Sequence, residues 1–173
     1  DAALSGMTLP FIEGAPQFDF STGIQSLSIS GHKFIGSPMP CGVVLALKQN
    51  VDRIARSIEY VGTLDTTITG SRNAITPLML WYAIRSHGVE GFRETVNECL
   101  KRAEYAVDRL NDMGVDAWRN PHAITVVFPK PTPVILDKWQ LAVQGDFAHI
   151  MVMPHVTREK IDQLAADIVS NPS

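Results

Sequence analysis

Cysteine is nearly absent: Cys41 and Cys99 are the only two. Two thiols build no disulfide framework, and both read as small apolar residues kept reduced in the cytoplasm. No apolar run reaches the ~18 residues that a membrane-spanning helix requires. No basic head followed by an apolar stretch marks a secretion signal. Basic blocks are missing as well, with 15 Lys and Arg against 18 Asp and Glu and a net charge of −3, which argues against a nucleic-acid partner. His87, His122, His149 and His155 lack metal-ligand spacing, and the interval from His149 to His155 does not put both on one helix face, so no metal is expected. Repeats and low-complexity tracts are also lacking. What remains is globular composition, 45% hydrophobic and 19% charged over 173 residues, enough chain for a real core.

Against that background Ser30-Gly31-His32-Lys33 stands out. It follows the alternating segment Gln25-Ser26-Leu27-Ser28-Ile29, which predicts a strand. A lysine just past a strand end, preceded by histidine and flanked by Gly31 and Gly36, is an odd place for a solvating charge. Lysine is also the side chain that condenses with carbonyls once its neighbours free the amine. At the start of the chain, Asp1 precedes the small residues Ala2, Ala3, Ser5 and Gly6, which let a flat ring approach the backbone. A lysine for an aldehyde and an acid for a ring nitrogen are the pair that a pyridoxal phosphate site requires. The plain alternative is a surface lysine in a glycine-rich turn and an ordinary acid at the chain start.

The coarse organisation is α/β. Cys41–Leu47 is a continuous apolar run that predicts a strand covered on both faces. Asn50–Arg56 suggests a helical turn, and Glu59–Asn73 a long loop. A helix is expected from Pro77 through Ile84, stopped near Gly88, and a second from Gly91 to Met113. Strands at Ala123–Phe128 and His149–Met153 bracket a helix over Val134–Val143, and Thr157 caps a last helix with Ile161, Leu164 and Ile168 on one face. Trp81, Tyr82 and Trp139 read as core aromatics.

Several stretches together resemble the group II pyridoxal-phosphate amino-acid decarboxylases. They are Asp1-Ala2-Ala3 and Ser28-Ile29-Ser30-Gly31-His32-Lys33-Phe34-Ile35-Gly36. Ser37-Pro38-Met39-Pro40-Cys41-Gly42, Thr67-Ile68-Thr69-Gly70-Ser71-Arg72-Asn73, Ile124-Thr125-Val126-Val127-Phe128 and Trp139-Gln140-Leu141-Ala142 are similar to the bacterial histidine-decarboxylating branch and the related plant serine-decarboxylating one. The resemblance implies an α/β fold, the C-terminal part of a fold-type I pyridoxal-phosphate enzyme. Residues 1–75 would be a remnant of the large parallel-sheet domain, 76–90 a connecting helix, and 91–173 a small α/β C-terminal subdomain. A chain so placed would have lost its upstream partners and would be inactive alone.

The same resemblance implies roles. Lys33 carries the cofactor, Asp1 holds the ring nitrogen, Ala3 packs on the ring face, and Ser30 and His32 approach the phosphate. Ser30 and His32 could equally be a hydrogen-bonded structural pair. Tyr60, in the long loop, is a candidate proton donor to the substrate carbon, or else a loop aromatic. Ser71 and Arg72 would meet substrate or a partner subunit, with Arg72 binding an anion or forming an interface ion pair. The implied reaction is decarboxylation of L-histidine to histamine in a homodimer or homotetramer with shared sites. Serine, or another substrate of the group, is the near alternative. A non-enzymatic α/β interaction domain is the remote one.

Overall fold

Ser26–Ser30 alternates polar and apolar side chains and forms strand β1. Strand β2, Gly42–Ala46, runs antiparallel to it, with Ser26 opposite Ala46 and Ser30 opposite Gly42. The computed structural model describes residues 1–60, 62–67 and 71–171. They divide into two units, one up to Val89 and one from Glu90 onward.

In the first unit the chain start lies along β1. Ala2 N–H donates to Ser28 O at 2.9 Å, and Ser30 N–H donates to Ala3 O at 3.0 Å. These bonds advance in the same direction along both segments, which is the parallel sense. Short 3-10 turns at Ser5–Met7 and Leu9–Phe11 follow. Ala2, Ile29, Phe34 and Ile35 are buried.

Beyond β2 come helix α1, Lys48–Ile54, and the antiparallel pair β3 (Arg56–Ile58) and β4 (Thr63–Asp65). The helix therefore begins and ends earlier than expected. Ala55 turns extended and stops it. The region expected as a long loop holds β4, the second strand of a hairpin whose strands are too short to show a period in sequence. Residues 61 and 68–70, part of that region and of the Thr67–Asn73 motif, lie outside the described residues.

Two further expectations fail in this unit. The apolar run of β2 is not covered on both faces: Val44 is 70% and Leu45 46% exposed. Trp81 and Tyr82 are not core aromatics, at 60% and 67% exposure. An apolar pattern states which side chains favour burial, but the covering layer must come from elsewhere. β1 is the one strand paired with β2 among the described residues.

Helix α2 covers Ile75–Asp112 but is broken at Gly88, whose φ of 61° and ψ of −175° are not helical. Asn73 starts it: its side-chain oxygen accepts from Thr76 N–H and Oγ1, both at 2.8 Å. Past the break, Phe92, Val96, Cys99, Ala103, Ala106 and Leu110 recur at helical spacing and are buried. Burial pushes the Cys99 thiol up to about 11.

The second unit packs this helical stretch, α3 (Pro133–Trp139) and α4 (Arg158–Ser170) with an antiparallel sheet. Its strands are β5 (Thr125–Pro129), β6 (Ala142–Gln144) and β7 (Phe147–Met151), in the order β5-β7-β6. Leu110, Val126, Phe128, Ile135, Ala148, Val152, Ile161 and Leu164 form the centre of its core. Thr157 caps α4, accepting from Lys160 N–H. The helix expected over Val134–Val143 is shorter than that. Gln140 adopts φ 50° and ends it, and the chain resumes as β6 with Ala142 opposite His149. Trp139 is half-buried and donates from its indole N–H to Asp167 at 2.7 Å.

A second polar junction ties α2 to α4. Tyr105 OH donates to Asp162 Oδ1 at 2.7 Å and Arg109 Nε to the same oxygen at 2.9 Å. The Arg158 guanidinium stacks 4.9 Å from the Tyr105 ring centroid. The Tyr105 hydroxyl foremost, and then the Arg109 guanidinium, hold the Asp162 carboxyl below its usual range despite some desolvation.

Two outcomes follow from this architecture. Gly88 occupies a backbone region open essentially to glycine alone, so Gly88→Ala should lower stability by about 1–3 kcal/mol in urea unfolding. Asp162 has its pKa lowered in the folded state, so its contribution is present above the unfolded-state value near ~4 and is lost as pH falls through the lower folded value. Stability measured between roughly pH 5 and 2 should therefore fall less steeply in Asp162→Asn than in the parent.

Candidate active site

Lys33 stands in the turn that joins β1 to β2. Its two followers, Phe34 and Ile35, are 6% and 8% exposed and anchor the turn, while Lys33 itself is half-buried. Ser37 N–H donates to Gly31 O at 3.0 Å and closes the loop on itself. The buried Ser37 hydroxyl donates to Met39 O at 3.0 Å. Lys33 is thus carried on a clamped loop.

The approach of Gly31 to its neighbours is close. A Cβ on that residue would lie 2.5 Å from Cys41 Sγ and 2.9 Å from Leu80 Cδ2. The first residue after the strand therefore has room for no side chain, because the thiol of Cys41 and a leucine of α2 fill the space. Gly31 N–H donates to Cys41 O at 3.0 Å, and Cys41 N–H lies 3.1 Å from His32 Nδ1.

Asp1 is placed along β1 by the backbone. The Ala2 and Ala3 bonds to β1 lay the chain start beside Ser28–Ser30, so the acid precedes and the lysine follows one strand pairing. The Asp1 carboxylate accepts from Ala3 N–H at 2.8 Å. Ala3 O is held by Ser30 N–H. Main-chain pairing of two segments far apart in sequence thus sets Ala3 beside Ser30, with Asp1 before that pairing and His32 and Lys33 after it.

The remaining candidates sit on other elements. Tyr60 is 99% exposed in the turn between β3 and β4. Ser71 and Arg72 precede the Asn73 cap of α2 and are exposed. The Asp65 carboxyl is held below its usual range, first by the Thr67 hydroxyl and backbone and in smaller part by the Arg72 charge. Asn73 acts as a helix cap, a role that its N-x-x-T spacing before an apolar helix could have signalled. Cys41 and Leu80 were missed as members of the site: Cys41 stands in one of the quoted motifs but was read as a small apolar residue, and Leu80 carries no motif. Counting the strand register back from Gly42 would have set Cys41 opposite Gly31.

Elsewhere, a groove of about 470 Å³ in the second unit is lined by Trp139, Leu141, His149, Met151 and Ile161, among others. It contains no carboxylate beside an amine, so it does not offer the acid and lysine pair. Among the described residues, no three His, Cys, Asp or Glu side chains form a metal cluster.

Residues 1–128 match the model of the pyridoxal-dependent decarboxylase conserved domain. The chain belongs to the pyridoxal-dependent decarboxylase family. Among curated members, it is 51% identical to the histidine decarboxylase of Mesorhizobium japonicum over 168 residues, 97% of this chain and 45% of that protein. It is also 51% identical to the histidine decarboxylase of Morganella morganii, over 99% of this chain and 46% of that protein. The L-methionine decarboxylase of Streptomyces sp.590 superposes with a TM-score of 0.87 at 31% identity, over 99% of this chain and 42% of that one. A Burkholderia pseudomallei sphingosine-1-phosphate lyase, 22% identical, shares the fold with a TM-score of 0.79. The chain thus spans a little under half the length of these decarboxylases, and its α/β architecture is that of their fold.

The donor set fits the group after which the family is named. An amine on a clamped turn, an acid at the neighbouring segment's end and small residues between them are what an aldehyde-bearing pyridine requires.

The close packing at Gly31 sets an expected outcome. Gly31→Ala should destabilise the chain by about 1–3 kcal/mol through overpacking. Adding Cys41→Ala should recover part of that loss, and a double-mutant cycle in urea should show the coupling.

Proposed function

We propose that this chain carries the cofactor-attachment region of a pyridoxal-phosphate-dependent decarboxylase acting on L-histidine. One observation supports this above others: the backbone pairing of Ala2-Ala3 with β1, which Asp1 precedes and Lys33 follows. The identity of about half to two histidine decarboxylases supports the substrate.

In this reading the Lys33 amine would hold the cofactor at its aldehyde carbon. The Asp1 carboxylate, ionised, keeps a proton on the ring nitrogen. When bound, the group accepts the electron pair left on Cα as CO2 departs. Ala3 leaves room for the ring face. Ser30 and His32 supply donors to the phosphate.

Tyr60, exposed at the tip of its hairpin, delivers a proton to the substrate carbon, reaching a neighbouring subunit's site. The exposed apolar side chains of the first unit, Val44, Trp81 and Tyr82 among them, suit a covered surface and hence a homodimer or homotetramer. Ser71 and Arg72 serve that interface or the substrate. Residues 1–75, 76–90 and 91–173 act respectively as part of the cofactor domain, a connecting helix and a small C-terminal subdomain. No helix among the described residues is long and apolar enough to cross a membrane. A reducing, cytoplasmic setting suits the two free cysteines.

Borohydride reduction in the presence of pyridoxal phosphate, followed by digestion, should place the phosphopyridoxyl label on Lys33. Label on another lysine, with Lys33 clean, refutes the assignment. In the protein carrying this chain, Lys33→Ala should abolish histamine formation, and histidine should be turned over in preference to serine.

A further inference from the structure

The groove in the second unit opens where two strands part. Val127 exchanges both backbone bonds with Trp118, donating to its O at 2.8 Å and accepting from its N–H at 2.9 Å. The polar groups of Val127 therefore face away from β7. The alternation of an antiparallel ladder then pairs Val126 with Ile150 and Phe128 with Ala148 by hydrogen bonds, and Val152 N–H donates to Ile124 O at 2.8 Å. His149 and Met151, between these, present their backbone groups to the β6 side. Ala142 pairs with His149 there, but the register stops at that pair. The next bonding position, opposite Met151, falls on Gln140, which sits at φ 50° in the turn that ends α3. Met151 O accepts from Met153 N–H at 2.8 Å. Met151 N–H faces the gap with no strand partner among the described residues.

The walls of that gap are apolar. Leu141, Ile150, Ile161 and Leu164 line it, and the Trp139 ring is held in place by its indole N–H on Asp167. The polar lining is one-sided. His149, His155 and Lys160 border the groove of about 470 Å³, and no carboxylate does. Lys160 Nζ donates to His155 O at 3.3 Å, which ties the ammonium to the loop before α4. The acids of α4 are engaged elsewhere: Asp162 with Tyr105 and Arg109, Asp167 with Trp139 and Lys138, and Glu159 with the Thr157 hydroxyl.

An apolar slot of this size suits a small molecule. A border of cationic and N–H donors without acids selects a negative charge on it. We infer that the groove binds a small carboxylate with an aromatic or aliphatic body. The body lies against Trp139, Leu141 and Leu164, and the carboxylate turns to Lys160 and the two histidines, where the Met151 strand edge offers a further donor. The same charge disfavours an amine of equal shape. All of these residues belong to the second unit, so the site stands whether or not Lys33 carries a cofactor.

Hydrocinnamate, hydrocinnamide and phenylpropylamine share one body and differ in charge. Titrated into the 15N-labelled chain at neutral pH, hydrocinnamate should bind with a dissociation constant below about 1 mM and shift the Trp139 indole and Met151 amide signals. The amide should bind about fivefold or more weakly, and the amine more weakly still. Lys160→Gln, at an exposed position, should weaken hydrocinnamate about fivefold and leave the amide unchanged. Ala142→Trp, which puts a ring into the slot, should abolish binding of both. Equal affinity for the three probes, an unchanged hydrocinnamate affinity in Lys160→Gln, or shifts confined to residues before Glu90 overturn the inference. So does self-association in sedimentation that moves the same Trp139 and Met151 signals with protein concentration, since the groove would then hold a second copy of the chain.

Discussion

The pairing of β1 on both its sides is the constraint on which the first unit depends. On one side Ala2 and Ala3 bond to Ser28 and Ser30; on the other, β2 matches it from Ser26 through Ser30. A strand held along both edges cannot slip by a residue without turning Ile29 out of the core. That fixed register sets Asp1 before the pairing and Lys33 after it. It also determines which backbone groups are left over at the turn end of the hairpin, and those groups are the ones that touch His32 and close the turn.

The second unit depends on different physics. Its core is built by one helical face after Gly88 and by the inward sides of β5 and β7, with Phe128, Val126 and Leu110 almost wholly removed from water. Charged side chains close its seams: Asp162 bridges α2 and α4, Asp167 joins the ends of α3 and α4, and the Arg102 guanidinium donates to the carbonyls of Pro154 and Val156. The last two bonds satisfy a loop whose carbonyls have no strand to pair with. This unit can close a core from its own residues, whereas the first leaves Val44, Leu45 and Trp81 exposed. The acid and lysine pair lies in the first unit.

Much of this was legible before any fold was known, where the physics is local. The cap at Thr157, the break at Gly88 and the apolar face from Phe92 to Leu110 each follow from the rotation and the free N–H groups of a helix within a few residues. The motif around Lys33 was readable because few residues combine histidine, lysine and flanking glycines after a strand. The failures share a cause. The β3 and β6 strands are three residues long and exist by pairing, not by pattern. Trp81 and Tyr82 were misplaced because an aromatic's preference for burial does not create the layer that buries it.

The sequence by itself determined the chemical inventory of this protein: an acid, an amine, a histidine and small residues in a fixed order, with helices whose buried faces repeat at a constant interval. It also excluded a disulfide framework and a membrane-spanning helix, since both need residues that are simply not there. Tertiary structure alone decided that Asp1 and Lys33 flank one strand pairing, that Cys41 N–H turns to an imidazole, and that Gly31 has no space for a side chain. Those outcomes depend on which backbone groups meet across segments distant in the chain. A one-residue shift of register would reassign every one of them without changing a letter.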